Sequence, residues 1–381
     1  MKKFLTGMAL AMIFFACKKT DLQVKPLTNA ESADDIAAQA LSKQVKVLNN
    51  KLNYPWEILW GPDNYIWFTE REGYVKRMDP SNGKVTLVKK INDVASTTNF
   101  NGLLGMVLHP NFESNPYVYV VYNYYGAGNA YLEKIVRFTY NGNTLTSPLT
   151  LVDGIIGKEG GDYIHNGSRL QIGPDMKLYA TTGDANRRYV FPQNPQKLNG
   201  KILRVNLDGS IPDDNPFGNA VWATGQRNPQ GLVWANGKLY SSMHGQSTDD
   251  EINIIQKGRD YGWPYVQGFC DKPREMPYCD SLKVVEPIYA WTPTIAPSGL
   301  DYYNNDAIPL LKNCLLLAVL KDEELLQLRL DASGSFITEA RVYFKERFGR
   351  MRDIAIAPDG RVFVCTDNGN NSDMIIQIGT K

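Results

Sequence analysis

The chain has 381 residues, with 41 Lys and Arg against 40 Asp and Glu and three His, for a formal charge of +1. A balance this even gives no electrostatic ground for expecting nucleic acid or an anionic membrane surface as partner. Aromatics reach 11%, with 21 Tyr beside 32 Gly and 21 Pro, a mixture suited to many strands joined by tight turns in one large all-β domain or two ordinary ones.

Residues 1–17, MKKFLTGMALAMIFFAC, read as an export signal: Lys2 and Lys3 form the charged start, and Leu5 to Phe15 is too short an apolar run to span a bilayer stably. The run ends Phe-Phe-Ala-Cys, similar to the cleavage box of bacterial lipoproteins, by which Cys17 would become the lipidated first residue. The alternative is a plain secretory signal with Cys17 incidental. Either places the mature protein in the periplasm or at the cell surface, with a lipid on Cys17 as its one membrane attachment, for instance to an outer membrane. Residues 18–45 are polar and Ala-rich and read as a tether or a short peripheral helix, so the folded domain is expected over 46–381. Cys270 and Cys279 bracket a Pro-rich loop that a disulfide would staple, whereas Cys314 and Cys365 lie in apolar strand patterns, as buried thiols or as a second bridge.

From residue 56 a weak unit recurs: an apolar strand, a turn rich in Pro, Asp, Asn and Gly, and a second strand with an aromatic. Its copies span 56–70, 103–123, 168–184, 230–245, 298–321 and 352–368, each followed by a further strand such as YVKRMD, KILRVNLDG or MIIQIG. Six copies predict an all-β, six-bladed β-propeller. A hairpin sends its first strand away from one face and its second strand back to it. Residues before each first strand and after each second strand therefore share a face. These include Trp56, Asn101, His165, Arg227, Asn228, Thr294 and Arg350 on one side of the hairpins, and Arg71, Asn123, Asp184, His244, Gly245, Lys321 and Asp367 on the other.

On that face His165, Arg227, Lys321, Arg350 and Arg352 converge from several blades. Cations in register suit a small polyanion, and a histidine among them is pushed towards its neutral, basic form. The same cations could instead form structural salt bridges with Asp184, Asp353 and Glu346. A second constellation, DDEINIIQKGRDYGWP (249–264) with Gln267 and Asp271, offers hard oxygen ligands for calcium or is an ordinary acidic loop.

PWEI (55–58), NGLLGMVLHPNF (101–112), HNGSRL (165–170), GKILRVNLDG with DDNPF (200–217), QRNPQGL (226–232), DDEINII with YGWP (250–264), WTPTIAPSG (291–299) and RMRDIAIAPDG (350–360) occur in one order. Together they resemble the soluble quinoprotein glucose dehydrogenases and the wider family of aldose sugar dehydrogenases, over about residues 52 to 380. The resemblance implies oxidation of a sugar by pyrroloquinoline quinone (PQQ) with calcium, electrons passing on to an unidentified acceptor. It makes His165 the general base, and sets Arg227 and Asn228 on the reactive quinone carbonyl, with Gln230 in the same loop. Lys321, Arg350, Arg352 and Thr294 would hold the cofactor's carboxylates. The backbone carbonyls of Gly245 and Gln246 would hold a cofactor-bound calcium, and Asp250, Tyr261, Gln267 and Asp271 a second, structural one.

The chain departs from the family pattern at Phe100, where Gln or Glu is usual, at Ile164, where glucose-specific members carry Asp, and at Gln246, where Pro is usual. The cofactor half of the site is retained while the sugar half has changed. Two other functions compete: a calcium-dependent lactonase, which needs several acidic side chains at the channel, and a non-catalytic propeller binding glycan or protein. The sequence does not fix the oligomeric state, a homodimer being one option.

Overall fold

A computed structural model describes residues 24–25 and 32–379, apart from 98–99 and 159–163. The export signal and Cys17 lie outside the described residues. Six sheets form six blades. Blade 1 comprises Pro55–Trp60, Ile66–Glu70, Tyr74–Met78 and Val85–Lys90; blade 2 comprises Leu103–Leu108, Tyr117–Tyr125, Tyr131–Tyr140 and Leu145–Ile156. Blade 3 comprises Gly167–Ile172, Lys177–Thr182, Lys201–Asn206 and Val221–Ala223; blade 4 comprises Pro229–Ala235, Lys238–Met243, Asp250–Ile255 and Tyr289–Trp291. Blade 5 comprises Pro297–Tyr303, Cys314–Val319, Glu324–Leu330 and Ile337–Tyr343. Blade 6 takes Met351–Ile356, Val362–Thr366 and Asp373–Ile378 from the C-terminus and Val45–Leu52 from the N-terminus. First strands touch one another in ring order, and that of blade 6 touches that of blade 1.

Three strands of each blade are those the repeat announced. The fourth is not, because outer strands such as Val85–Lys90 and Val45–Leu52 are half exposed and carry little apolar signal. The expected tether is largely structured: Ala33–Lys43 is a helix, capped by the Ser32 hydroxyl accepting from the Asp35 amide, that buries Ala38 and Leu41. Val24–Lys25 pairs with Ala340–Arg341 of blade 5. The Cys270–Cys279 disulfide is present, and Cys314 and Cys365 are buried free thiols.

Each first strand carries a register shift near its start, between Pro55 and Ile58, Leu103 and Met106, Gly167 and Leu170, Pro229 and Gly231, Pro297 and Leu300, and Met351 and Asp353. Hydroxyls on second strands seal the irregularity and join blades: Thr69 donates to the Leu104 carbonyl, Thr181 to Pro229 and Ser242 to Ser298. Below the bulges the channel is plugged by ions. Arg169 Nη1 lies 2.7 Å from Glu57 and 2.8 Å from Asp353, and its Nε donates to the Gln230 carbonyl at 2.8 Å. Glu57 also accepts from the Met106 amide, and Asp353 from that of Ile58. Blade 5 contributes Gly299, where a Cβ would stand 1.9 Å from Asp353 Oδ1, so no other residue fits. Burial, against the pull of Arg169, pushes both carboxyls above their ordinary range.

Removing one member of such a plug strands the others without water. Arg169→Met is expected to lower unfolding free energy by about 3–5 kcal/mol, read as a lower urea midpoint at unchanged slope.

Candidate active site

A bulge re-aims successive side chains, and here it splits neighbours between two layers. Glu57, Arg169 and Asp353 enter the plug, while Trp56, Gln230 and Arg352 face a cavity above it. Trp56 forms the partition, its ring 4.3 Å from the Arg169 guanidinium. The remaining walls are Phe100 before blade 2, Ile164, His165 and Asn166 before blade 3, Asn228, His244, Ala296, Leu320 and Arg350. Every blade, or the segment entering it, contributes to one cavity, as the hairpin geometry predicts.

His165 sits at φ 61°, a left-handed backbone rarely adopted by residues with a Cβ. The adjacent chain leaves it room only because residue 183 is glycine: a Cβ there would lie 1.8 Å from the His165 carbonyl oxygen. Its Nδ1 is 2.7 Å from Asp184 Oδ1. Asp184 in turn accepts from Trp263 Nε1 at 2.8 Å and from the Asn186 amide at 2.9 Å. A carboxylate so placed fixes the proton on Nδ1 and leaves Nε2 as the ring's acceptor. Asp184, expected as a possible partner of the cations, is the orienter of the histidine instead, and Asp353 belongs to the plug.

His244 is held differently. Nε2 is 2.8 Å from the Pro297 carbonyl, which can only accept, so Nε2 carries the hydrogen. Burial, with Arg227 and His165 nearby, pushes its pKa down to about 3. The neutral ring therefore presents Nδ1 to Asn228 Nδ2 at 3.4 Å, while Asn228 Oδ1 accepts from the Gly167 amide at 3.1 Å. That fixes which way the amide of Asn228 points.

The cations gather at two places. Arg352 donates to Gln230 Oε1 at 2.6 Å and pairs with Asp367, whose other oxygen is taken by Arg71; Arg350 stands 3.8 Å from the same carboxylate. Lys321 Nζ donates to Thr294 at 2.5 Å (carbonyl) and 3.2 Å (hydroxyl) on the rim of blade 5. Arg227 lies behind His244, its Nη1 3.4 Å from the His244 carbonyl and its guanidinium 5.3 Å from the Trp263 ring. Burial pulls the pKa of Arg227 and of Arg350 down, against the nearby carboxylates. The Nε atoms of Arg227 and Arg352 are buried without a hydrogen-bond partner among the described residues.

Gly245 and Gln246 follow His244 in a turn where a Cβ at Gly245 would meet the Thr248 carbonyl at 1.9 Å. Asp250 fixes this turn by accepting from the amides of Gly245, Ile295 and Ala296 at 2.6–2.7 Å. Of the four residues expected around a second calcium, three have hydrogen-bond partners within the protein. Asp250 is so engaged, the Tyr261 hydroxyl donates to the Ile254 carbonyl, and the Gln267 carbonyl accepts from Lys272, which also pairs with Asp249. Among the described residues no three His, Cys, Asp or Glu side chains are grouped to hold a metal. Sequence reasoning placed Arg71 and Asp367 on this face without giving them a role, and missed Trp263; a Trp in YGWP or an Asp in TDNG looks like turn chemistry until the fold brings it beside Asp184 or three arginines.

The depressed pKa of His244 fixes a sign: stability is present above about pH 6.5 and is lost as pH falls towards 3. Nitrogen-15 spectra of the histidines should show His244 as the neutral Nε2–H tautomer at pH 5; a protonated ring there would contradict the hydrogen-bond assignment.

The sequence profile of the family described as Glucose / Sorbosone dehydrogenase matches residues 52–376. Quinoprotein glucose dehydrogenase B of Acinetobacter calcoaceticus is 34% identical, the match covering 91% of this chain and 89% of the relative. The PQQ-bound aldose sugar dehydrogenase of Streptomyces coelicolor shares the fold at a TM-score of 0.75 and 30% identity, covering 88% of this chain and 97% of that one. The apo form of the soluble aldose sugar dehydrogenase of Escherichia coli gives 0.78 and 28%, covering 88% and 99%. With a propeller of six blades, a histidine oriented by a carboxylate and a family profile spanning nearly all of the folded chain, the protein belongs to the glucose/sorbosone dehydrogenase family of oxidoreductases.

Proposed function

We propose that the protein oxidises an aldose at its anomeric carbon to the lactone, using PQQ and calcium bound in the central cavity. One observation carries this. A histidine with Nδ1 committed to Asp184 shares a six-blade cavity with Arg352, a buried guanidinium whose Nε has no hydrogen-bond partner among the described residues.

The residues fit the two groups. Three carboxylates on PQQ call for cations, and Lys321 with Thr294, Arg350 and Arg352 supply them from blades 5 and 6. Arg227 and Asn228 would face the reactive carbonyl, and Gln230 braces Arg352. The carbonyls of Gly245 and Gln246 make no hydrogen bond among the described residues, leaving lone pairs for calcium. When bound, the quinone supplies the two-electron acceptor and calcium the positive charge beside it.

The protein's own work is acid–base and positional. Nε2 of His165 takes the proton of the anomeric hydroxyl, and Asp184 stabilises the imidazolium so formed. Trp263 holds Asp184 in place. Phe100 and Ile164 flank the base where a sugar would enter, consistent with a substrate other than glucose. No carboxylate lines the cavity among the described residues, which separates the site from that of a calcium hydrolase. The export signal and the lipid on Cys17 would place this chemistry outside the cytoplasm, beside an acceptor still to be identified.

With calcium held by the Gly245 and Gln246 carbonyls next to PQQ, the two ligands would bind cooperatively, so calorimetric PQQ affinity should fall sharply in chelator. Equal affinity with and without calcium would refute the shared site.

His165→Gln keeps size and removes the proton acceptor, so turnover of a good aldose should fall by about 10²–10⁴-fold while melting temperature and PQQ affinity persist. Turnover within a few-fold of wild type in a folded, PQQ-loaded variant would take His165 out of the mechanism.

A further inference from the structure

The corner between blades 6 and 1 holds more cation than the proposed chemistry uses. Arg71, Arg350 and Arg352 surround one carboxylate, Asp367: Arg71 on Oδ1, Arg352 on Oδ2, and Arg350 3.8 Å from Oδ2. Three guanidinium groups share this one carboxylate, with Asp373 acting on Arg71 and Glu323 on Arg350 less strongly. Beside them opens a second cavity, walled by Tyr54, Arg71, Phe100, Arg350, Asp367 and Asn368, which shares Phe100 and Arg350 with the first.

Arg71 is 2% exposed. Its guanidinium lies 3.9 Å over the Tyr54 ring, and its Nη1 has no hydrogen-bond partner among the described residues. Tyr54 is itself fixed, its amide donating to Asp373 at 2.8 Å. Burial pulls the Arg71 pKa down to about 10, against Asp367, which leaves it charged at neutral pH. A buried donor without an acceptor is costly, and a rigid planar cation beside a cavity is the arrangement that recognises carboxylates. Asn368 cannot meet that need, because its Oδ1 accepts from the Arg350 amide and its Nδ2 donates to the Phe348 carbonyl.

The geometry points to a carboxylate subsite formed by Arg71 and Arg350 in this second cavity. Its ligand is either a carboxylate of the cofactor or that of an acidic aldose such as a hexuronate. The inference rests on the proposed sugar oxidation only for where the carboxylate comes from.

Arg71→Met and Arg71→Lys test it, the first removing the charge and the second only the fork. For each, PQQ is titrated into apo protein in calcium by fluorescence, kcat/KM is measured for glucuronate and glucose at saturating PQQ, and melting temperature is recorded. If the cofactor supplies the carboxylate, PQQ Kd rises about ten- to a hundredfold and the glucuronate-to-glucose ratio stays put. If the substrate supplies it, PQQ Kd is preserved and that ratio falls by about the same factor. Unchanged values of both, or losses that only track the folded fraction, overturn the subsite. Wild-type protein that binds no PQQ would instead sink the proposed function. Calorimetry of glucuronate against glucose on the apo protein then decides the subsite alone: binding specific to glucuronate and lost in Arg71→Lys supports it, and equal binding of the two overturns it.

Discussion

The guanidinium of Arg169 is the point at which the ring is tied. Around it stand Glu57 of blade 1 and Asp353 of blade 6, with the Gln230 carbonyl of blade 4, the Met106 amide of blade 2 on Glu57, and Gly299 of blade 5 pressed against Asp353. A propeller has no single sheet crossing its axis, so the axis must be filled by side chains or left to water. An apolar plug would fill it as well; an ionic one adds direction, because each charge must meet its partner and mispaired blades would strand a buried charge. The register shifts then repeat that constraint upward, sending one side chain of each pair into the plug and its neighbour into the cavity. Floor and site are set by the same backbone irregularity.

That coupling explains why the cavity holds so much unbalanced positive charge. Arg350, Arg352 and Arg71 are fixed by one aspartate and by stacking rather than neutralised one for one. Arg227 and Arg352 keep buried Nε–H groups without a hydrogen-bond partner among the described residues. Charges held in a dry, rigid setting interact with an anion far more strongly than charges on flexible surface chains, since water neither screens them nor has to be displaced later. The two histidines divide the work by environment. Asp184 beside His165 keeps a basic nitrogen turned to the cavity, whereas burial beside Arg227 keeps His244 neutral as a fixed strut for Asn228.

Most of the architecture was legible because Pro-Asp-Gly turns between apolar hairpins recur six times, and a hairpin has only one way to return to its starting face. Of the residues placed there, Trp56, His165, Asn228, His244, Arg350 and Arg352 line one cavity; Asp184 backs His165, Arg227 stands between the His244 carbonyl and Trp263, and Lys321 and Thr294 pair with each other. What stayed hidden depends on tertiary neighbours. Val45–Leu52 shows no strand signal of its own, its alternation being blurred by an edge position. Asp184 and Asp353 could be named as partners of cations, but which cation each would meet is decided by the bulges, not by sequence spacing. The acidic run 249–251 reads as calcium ligands or as an ordinary acidic loop, and spacing does not reveal that Asp250 accepts from three backbone amides while Asp249 pairs with a lysine.

Blade 6 is sewn from both ends of the chain, Val45 lying opposite Ile378. A contact between residues so distant in sequence closes a very long loop, and such pairings form late and slowly. Until Asp373–Ile378 has been made, Val45–Leu52 has no strand to pair with, although Met351–Ile356 already has Pro55–Trp60 to pack against. Blade 6 is therefore completed only when Asp373–Ile378 joins Val45–Leu52. A protease that trimmed Asp373–Ile378 would unstitch the blade whose first strand carries Arg352.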